Sequence, residues 1–522
     1  EIGQLAEVHG KTIKMPAHGA LILQDLEQEV GDFSADRIWS QRTKAIKEAA
    51  AWNTSAPSTL KVELRDYQVQ GYQWLSRLAR MGFGACLADD MGLGKTLQAL
   101  ALIVERAPHG PTLVVAPTSV CSNWLAETRR FAPTMQPTLY AGREREHILE
   151  QAGPFDLIVC SYALLNQDAE ALAGLSWQTL VLDEAQAIKN WNAKRTQAAM
   201  QLKAGFSMIT TGTPLENNLN ELWTLFRFIT PGLLGPRKRF HERFAVPIQK
   251  EHDQEQKRVL KRIVRPFILR RLKSQVMEEL PARTEVTLKV GMSEQEAALY
   301  EAMRLQALEN LESTDAGQGQ KHMQILAELT RLRQLCCDPR LVYPKSEVTG
   351  SKLDLLEELV AELLSTGHKA LIFSQFVKNL HLVQERMHSM GVEYRYLDGS
   401  TPARVREQEI TAFQAGQGDV FLISLKAGGL GINLTAADYV IHLDPWWNPA
   451  VEDQAADRAH RIGQDRPVTV YRLVTENTVE EKIVQLHAEK RDLADSLLEG
   501  SDVSYRVDAE ELMQLLRENA VG

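Results

Sequence analysis

The chain has 522 residues, of which 44% are hydrophobic and 24% are charged, and its formal net charge is −9. This is the composition of a soluble globular protein, and the length exceeds what one core supports, so about three domains are expected. No apolar run is long enough to span a bilayer and no signal-peptide pattern is present, which argues against a membrane protein and favours the cytoplasm. The net acidity argues against indiscriminate binding of nucleic acid.

The five cysteines indicate a reducing environment. Their number is odd and they contain no C-x-x-C pair, so neither a disulfide framework nor a zinc site is indicated. Cys86 and Cys160 lie in apolar runs and are expected in the core. The adjacent Cys336 and Cys337 fit core packing at a helix end better than a redox-sensitive pair.

The first 60 residues carry no chemical motif. Helical periodicity extends from Asp36 to Trp52, and Thr54–Ser58 has the composition of a linker. The chain begins with Glu1 instead of Met, so we expect material upstream and interpret residues 1–60 as an N-terminal segment that ends a preceding domain.

Short apolar runs alternate with helical patterns from Leu60 onwards. The runs predict four buried strands: Thr112–Ala116, Asp156–Cys160, Thr179–Leu182 and Ser207–Thr210. Strands that alternate with helices in this way predict a parallel sheet covered on both faces. We therefore expect a first α/β lobe over residues 61–230.

Residues 231–349 differ in character, because they are charged, mainly helical and poor in strand signals. We expect helical insertions and a linker here. The uninterrupted basic run Lys257–Lys273 is compatible with nucleic-acid contact and equally with the solvated face of an amphipathic helix.

A second α/β set follows residue 350. Its predicted strands are Lys369–Phe373, Glu393–Leu397, Val420–Ser424, Tyr439–Leu443 and Val468–Leu473. We expect a second lobe over residues 350–477, and a terminal helix from Thr478 to about Leu498 within a segment 478–522.

The stretch Ala88–Thr96 predicts a phosphate-binding loop that opens a helix. Gly92 and Gly94 allow backbone N–H groups to approach an anion, and the helix N-terminus favours negative charge. Lys95 offers a charge to the β- and γ-phosphates, and Thr96 a hydroxyl to Mg²⁺. The general pattern G-x-x-x-x-G-K-T has Gly where this chain has Asp89.

Two carboxylates, Asp183 and Glu184, follow the apolar strand Thr179–Leu182. Asp183 is suited to holding Mg²⁺ with Thr96, and Glu184 to orienting or deprotonating water. Alone, such a pair would be better interpreted as a helix N-cap, but a phosphate loop upstream makes catalysis the better interpretation.

Arg458 and Arg461 lie three residues apart, which predicts a shared helix face. Arginines of a second lobe can stabilise charge that develops on a γ-phosphate. The alternative is a pair of surface salt bridges.

These residues resemble the Swi/Snf-type ATPases of helicase superfamily 2, in a bacterial or archaeal-like form. The resemblance covers about Leu60 to Leu498, and in this family Asp89 is the usual residue. The motifs that carry it occur in the family's order: Leu64–Gln68, Ala88–Thr96, Val115–Ser119 with Asn123–Trp124, Ser161–Tyr162, Asp183–Gln186, Thr211–Asn218, Leu371–Phe376, Leu397–Thr401, Ser424–Leu434, Asp444–Pro449 and Gln454–Gln464.

The resemblance implies an α/β fold of two RecA-like lobes with helical insertions and a C-terminal brace helix, and it implies roles for named residues. Catalysis falls to Lys95, Glu184, Arg458 and Arg461. ATP binding falls to Tyr67, Gln68, Asp90, Met91, Gly92, Leu93, Gly94, Lys95, Thr96, Gly431 and Gln454, and Mg²⁺ to Thr96 and Asp183. Contacts to DNA fall to Pro117, Thr118, Ser119, Asn123, Tyr162, Ser374, Gln375, Ser424, Lys426, Gly428 and Trp446, although Trp446 and Trp447 are as readily packing residues.

The implied function is a DNA-stimulated ATPase that hydrolyses ATP between two lobes. It would move along double-stranded DNA as a monomeric motor and remodel protein–DNA complexes, at the nucleoid if the source is bacterial. A strand-separating or RNA-directed helicase, and an ATP-gated clamp that binds a partner protein, are the alternatives. Gln186 departs from the His that is commonest in the family; it keeps hydrogen-bonding groups but cannot titrate.

Overall fold

The protein is described here by a computed structural model that covers residues 7–9, 12–14, 37–142, 145–212, 219–251, 253–276, 281–312, 318–428 and 432–485. The chain forms two compact units, with the division after residue 278. Each unit contains its own parallel sheet. The division lies inside the segment 231–349, so that segment contributes to both units.

The first unit is built on seven parallel strands in the order β11-β3-β10-β8-β4-β6-β5. These strands are β3 (Ala85–Leu87), β4 (Thr112–Ala116), β5 (Gln136–Leu139), β6 (Asp156–Ser161), β8 (Thr179–Asp183), β10 (Ser207–Thr210) and β11 (Ile268–Leu269). Two small sheets pair β1 (Glu7–His9) with β2 (Thr12–Lys14), and β7 (Ser176–Trp177) with β9 (Lys203–Ala204).

Helices connect these strands. The α-helices of the first unit are Arg37–Ala50, Asp66–Met81, Lys95–Arg106, Thr118–Phe131, Arg145–Glu150, Tyr162–Gln167, Ala169–Gly174, Lys194–Gln201, Leu219–Ile229, Arg237–Phe240, Val246–Lys250, Gln254–Val264 and Lys273–Val276. Short 3-10 turns occupy Ala107–His109, Ala185–Ile188 and Arg265–Phe267, and His241–Ala245 is a π-helical turn.

The second unit is built on six parallel strands in the order β12-β17-β16-β13-β15-β14. The strands are β12 (Arg283–Val290), β13 (Ala370–Ser374), β14 (Tyr394–Leu397), β15 (Val420–Ser424), β16 (Tyr439–His442) and β17 (Val468–Thr475). Its helices are Glu294–Glu312, Gln318–Cys337, Ser351–Ser365, Val377–Ser389, Ala403–Gln414, Leu425–Gly428 and Pro449–Ala456, with a 3-10 turn at Pro339–Leu341. The two sheets confirm the predicted α/β fold of RecA-like lobes.

Alternation along the strands of the second unit creates two cores. Leu371 and Phe373 of β13 belong to one buried cluster, whereas Ala370 and Ile372 belong to another. Successive strand residues point to opposite faces, so strands that are apolar throughout need cover on both. This is why the continuous apolar runs predicted a parallel sheet.

Nine strands were predicted, and all nine are present to within one or two residues. No pattern in the sequence predicted β3, β5, β11 or β12, nor the strands of the two small sheets. In β12, exposed and half-buried residues outnumber buried ones, so it lacks the apolar run of a central strand. The terminal helix begins at residue 479 and is described to residue 485; the rest of the predicted brace helix lies outside the described residues.

All five cysteines are free and buried, as expected for core residues. Burial raises the pKa of the Cys86 and Cys160 thiols to about 12, which leaves them unreactive at neutral pH. Among the helices in the described ranges, none is both long and apolar enough to cross a membrane.

A buried ion pair fixes the start of the terminal helix in the second unit. The Lys352 ammonium donates to Glu480 and to the Leu443 carbonyl oxygen, the latter at 2.9 Å. Lys352 is 3% exposed and Glu480 is fully buried. Burial lowers the pKa of Lys352, but the charge of Glu480 and the hydrogen bond to it, together with Cys337 and Cys336, leave that pKa above its ordinary value.

We expect Lys352→Met to lower the free energy of unfolding of the second unit by about 3–5 kcal/mol, because Glu480 would be left as an uncompensated buried charge. Urea denaturation measures the change. The control is Arg331→Met, which removes an ion pair at 3.4 Å whose arginine is 46% exposed; it should cost less than about 1 kcal/mol. Equal midpoints for the two variants would contradict the prediction.

Candidate nucleotide site

The phosphate loop follows β3 at the carboxyl end of the sheet, where ligands of parallel α/β folds bind. Gly92 and Gly94 have φ of +86° and +74°, a region that residues with a Cβ rarely adopt. Gly94 immediately precedes the helix Lys95–Arg106. The loop thus has the backbone that the sequence predicted for approach to an anion.

Lys95 is folded back onto this loop. Its ammonium donates to the carbonyl oxygens of Asp89 at 2.6 Å and Asp90 at 3.2 Å. Both acceptors are neutral, whereas a phosphate is a charged acceptor that forms stronger hydrogen bonds with an ammonium. A phosphate bound in the loop would therefore compete with these carbonyl groups for the Lys95 ammonium.

Tyr67 and Gln68 lie against the tip of the loop. The Tyr67 hydroxyl and the Gln68 amide each donate to the Leu93 carbonyl oxygen at 3.2 Å. Gln68 Oε1 also accepts from the backbone N–H of Arg65 at 3.0 Å. These predicted nucleotide-binding residues are thus brought together with the loop.

The carboxylate of Asp89 is fully buried beneath the loop and is held by Arg271. Arg271 donates to Asp89 Oδ1 from its backbone N–H at 3.1 Å and from Nε at 3.0 Å, and its Nη2 forms an ion pair with Oδ2. Gln98 Nε2 donates to Asp89 Oδ2 at 3.1 Å. Arg271 also donates to the Tyr67 carbonyl oxygen. One guanidinium therefore ties the phosphate loop to the helix that carries Tyr67.

The strand β11 brings Arg271 to this position. β11 pairs with β3, and the backbone N–H groups of Ala88 and Asp90 donate to the carbonyl oxygens of Leu269 and Arg271. Lys273 is buried, and its N–H donates to the Asp90 carboxylate at 3.0 Å. The end of the basic run thus belongs to the nucleotide site. Leu260, Ile263 and other apolar residues of the run are buried, as the amphipathic-helix interpretation expects.

Asp183 ends β8, two strands from β3. Asp183 Oδ1 accepts from Thr210 Oγ1 at 2.5 Å and from the Glu184 N–H at 2.9 Å, and Oδ2 accepts from Trp124 Nε1 at 2.8 Å. A carboxylate offers about four lone-pair directions, so one remains. The carboxylate of Asp183 and the hydroxyl of the half-buried Thr96 are hard oxygen ligands, which Mg²⁺ prefers beside phosphates. The residues present therefore fit the predicted metal.

Glu184 has left-handed backbone geometry, with φ of +49°. A non-glycine residue there stores strain of about 1–3 kcal/mol, which is common at functional positions. Gln186 Nε2 donates to Glu184 Oε2 at 2.8 Å, and Gln186 Oε1 accepts from Thr211 Oγ1 at 3.3 Å. Gln186 thus links the predicted catalytic carboxylate to the residue that follows β10.

The predicted nucleic-acid contacts of the first unit follow β4 and β6. Thr118 and Asn123 are exposed, and Pro117 is half-buried. Only the backbone of Ser119 is described, at the start of the helix Thr118–Phe131. Tyr162 differs from these, because it is 7% exposed and its hydroxyl donates to the Asp183 carbonyl oxygen at 2.8 Å.

Arg458 and Arg461 do not share a helix face, which corrects the expectation from their spacing. The helix Pro449–Ala456 ends before them, and tight turns follow up to Gln464. The Gln464 amide stabilises these turns by donating to carbonyl oxygens, including that of Ala437 at 2.8 Å. Arg458 is 4% exposed, whereas the half-buried Arg461 has Nη1 3.5 Å from the Ile432 carbonyl oxygen.

Other predicted residues of the second unit lie near its strand ends. Gln454 is half-buried on the helix Pro449–Ala456, and Gly431 lies outside the described residues. Ser374 Oγ donates to the buried Asp444 at 2.5 Å, and the Gln375 N–H donates to the same carboxylate at 3.1 Å. These bonds fix the backbone that follows β13.

The remaining predicted contacts follow β15 and β16. Ser424 is buried and caps the short helix Leu425–Gly428, where only the backbones of Lys426 and Gly428 are described. Trp446 is half-buried against an apolar cluster, with the Arg333 guanidinium 5.9 Å from its ring centroid. The described geometry supports packing for Trp446, and contact with DNA stays a prediction.

No role was predicted from sequence for Arg271, Trp124 or Gly71, although all three shape the site. Arg271 stands in a basic run where nothing marks it as buried, apart from the apolar pair Ile268–Leu269 just before it. A Cβ at Gly71 would lie 1.8 Å from Gln98 Oε1 and 2.7 Å from Arg271 Nη2. The helix Asp66–Met81 therefore needs glycine at this position.

We expect Gly71→Ala to destabilise the first unit, although alanine is the better helix former by about 0.5–1 kcal/mol. The methyl group would displace Gln98 and Arg271, and overpacking of this kind costs about 1–3 kcal/mol. Thermal unfolding measures the sign. Gly174→Ala is the control, because a Cβ there meets nothing within 4 Å. An unchanged or higher melting temperature for Gly71→Ala would contradict this account.

Comparison with known proteins agrees with this geometry. The SNF2-related domain matches residues 67–341, and the helicase conserved C-terminal domain matches residues 351–463. YwqA of Bacillus subtilis, whose name describes an ATP-dependent helicase/translocase, is 38% identical over 89% of this chain and 52% of its own length. The ISWI chromatin-remodeling complex ATPase CHR11 of Arabidopsis thaliana is 38% identical over 89% of this chain and 46% of its own length.

The chain thus spans about half the length of these relatives. A solved structure, the Sulfolobus solfataricus SWI2/SNF2 ATPase core in complex with dsDNA, is 35% identical and covers 86% of this chain and 96% of its own, with a TM-score of 0.45. The SNF2-related match extends over more than half of the chain and includes the phosphate loop, Asp183 and Arg271. The chain therefore belongs to the SNF2-related family.

Proposed function

We propose that this chain is an ATPase that moves along double-stranded DNA and remodels protein–DNA complexes. One observation carries the proposal: the phosphate loop and the Asp183–Glu184 pair lie at the same edge of one parallel sheet, with only β10 between their strands. Membership of the SNF2-related family supports it, as do the names of relatives, which describe an ATP-dependent helicase/translocase and a chromatin-remodeling ATPase.

Each residue of the loop has a role in this proposal. Gly92 and Gly94 let the backbone N–H groups point at the phosphates, and Lys95 supplies a mobile positive charge. Thr96 and Asp183 would hold Mg²⁺, which offsets phosphate charge when bound. The other residues proposed to hold the nucleotide are Tyr67, Gln68, Asp90, Met91 and Leu93, with Gln454 and Gly431 of the second unit.

Hydrolysis is assigned to Glu184, which orients or deprotonates the attacking water. Its carboxylate is already held by Gln186 Nε2 at 2.8 Å. Arg461 and Arg458 of the second unit are proposed to stabilise charge on the γ-phosphate. Arg461 is the better candidate, since Arg458 is nearly buried.

The polar groups that follow β4, β13 and β15 are proposed to hold DNA through its phosphates. Such contacts position a protein on the duplex but carry no sequence information, which suits a motor that moves along any sequence. We infer a monomeric cytoplasmic motor, associated with the nucleoid if the source is bacterial.

The test is steady-state ATP hydrolysis with no nucleic acid, single-stranded DNA, duplex DNA or duplex RNA, at matched low salt because phosphate contacts are salt-sensitive. We expect strong stimulation by duplex DNA and little unwinding of a plain duplex. Stimulation by RNA, or efficient strand separation, would point instead to a helicase. Nucleic-acid-independent turnover with ATP-dependent capture of a protein would indicate a clamp.

Lys95→Ala and Glu184→Gln should each abolish turnover, and Arg461→Ala should lose hydrolysis while nucleotide binding largely remains. Lys203→Ala, on the exposed strand β9, is the control. Full-rate hydrolysis by any of the three site variants would remove the role assigned to that residue.

We expect Gln186→His to introduce a pH dependence near neutrality that glutamine cannot provide, because glutamine does not titrate. The imidazole would titrate near pH 6.5, and the Glu184 carboxylate beside it would raise that pKa. Below this pKa the imidazolium would pair with Glu184 and weaken it as a base, so turnover should fall as the pH falls. The exposed Gln201→His is the control. Superimposable pH profiles for all three proteins would contradict the expectation.

A further inference from the structure

Two side chains converge on Asp183 from the elements that follow β4 and β6. Trp124 Nε1 donates to the Asp183 carboxylate at 2.8 Å, and the Tyr162 hydroxyl donates to the Asp183 carbonyl oxygen at 2.8 Å. The chemistry of the phosphate loop does not account for either hydrogen bond. Both contacts come from the side of the sheet away from β3.

Both contacts involve buried side chains, so they are protected from exchange with water. Trp124 is 1% exposed and Tyr162 is 7% exposed. An indole N–H can only donate, so a buried one needs an acceptor.

The element that follows β4 also carries proposed contacts to DNA. Trp124 lies on the helix Thr118–Phe131, next to the exposed Asn123 and two turns from Pro117. A helix moves as a rigid element, so a shift of its N-terminal turn is passed to the indole. Tyr162 begins the helix that follows β6, and its hydroxyl is already engaged by Asp183.

We propose that Trp124 and Tyr162 are positioning residues. Trp124 conveys the engagement of DNA at the helix Thr118–Phe131 to the carboxylate of Asp183, and Tyr162 holds the backbone of Asp183 in place for it. The inference rests on the proposed function. It gives Tyr162 a role through Asp183 instead of a side-chain contact with DNA. It also gives a physical route for stimulation, because Asp183 would hold Mg²⁺ with Thr96.

The test uses Trp124→Phe and Tyr162→Phe, which remove one hydrogen bond each and keep an aromatic ring. Three quantities are measured: the ratio of duplex-stimulated to basal hydrolysis, the Kd for duplex DNA, and the Mg²⁺ concentration that half-saturates binding of a fluorescent ATP analogue. The controls are Trp177→Phe and Tyr140→Phe, which lose bonds to the Leu172 carbonyl oxygen and to Asp168 elsewhere in the same unit.

We expect both site variants to lose stimulation by a factor on the order of ten, the effect of one hydrogen bond to a charged group for Trp124 and somewhat less for Tyr162. The Kd for duplex DNA should stay within about twofold, a change worth less than one hydrogen bond. Trp124→Phe should also require more Mg²⁺ for nucleotide binding. The control variants should match the natural protein in all three measurements.

Wild-type stimulation ratios and Mg²⁺ requirements in the site variants would overturn the inference, as would a loss of duplex affinity that accounts for the lost stimulation. If the natural protein is not stimulated by DNA, the proposed function fails instead, and the Mg²⁺ titration still tests whether Trp124 positions Asp183. If Trp124→Phe does not fold, the nearly isosteric Tyr162→Phe decides the outcome.

Discussion

The phosphate loop depends on one interaction, the hydrogen-bonded ion pair between the buried carboxylate of Asp89 and Arg271. A charge without solvent is costly unless it is paired and fully hydrogen-bonded, and Arg271 and Gln98 provide those partners. Because Arg271 comes from the far end of the first unit, this requirement also brings β11 beside β3. The general phosphate-loop pattern places glycine at this position, which could not recruit an arginine. Asp89, which departs from that general pattern, is therefore the residue that anchors the loop.

The order of the strands determines the order of the functional groups along the carboxyl edge of the first sheet. The phosphate loop follows β3, Thr211 follows β10, Asp183 ends β8, and the segment of this unit that is proposed to hold DNA follows β4. Parallel strands end at the same edge, so these groups are neighbours although they are far apart in sequence. Asp183 ends the middle strand, between the phosphate loop and the segment proposed to hold DNA. A carboxylate in this place can respond to both.

The sequence predicted what depends on local pattern. Runs of apolar residues located the central strands, and Gly92, Gly94 and Lys95 located the loop. It could not show that β11 joins the sheet, because two residues carry too little pattern, nor that Arg271 is buried, because its partner lies 182 residues away. The spacing of Arg458 and Arg461 implied a helix, but hydrogen bonds from Gln464 to distant carbonyl groups stabilise turns there. Tertiary contacts decided each of these outcomes.

The carboxylate of Asp183 also supports the strained backbone of Glu184. Asp183 Oδ1 accepts the Glu184 N–H at 2.9 Å, and this bond helps hold Glu184 in the left-handed region. Gln186 then binds the Glu184 side chain from the turn that this conformation begins. A rotation of the Asp183 carboxylate would therefore disturb both the proposed metal ligand and the support of the proposed catalytic base. Since Trp124 holds the other oxygen of Asp183, the indole restrains both groups through a single hydrogen bond.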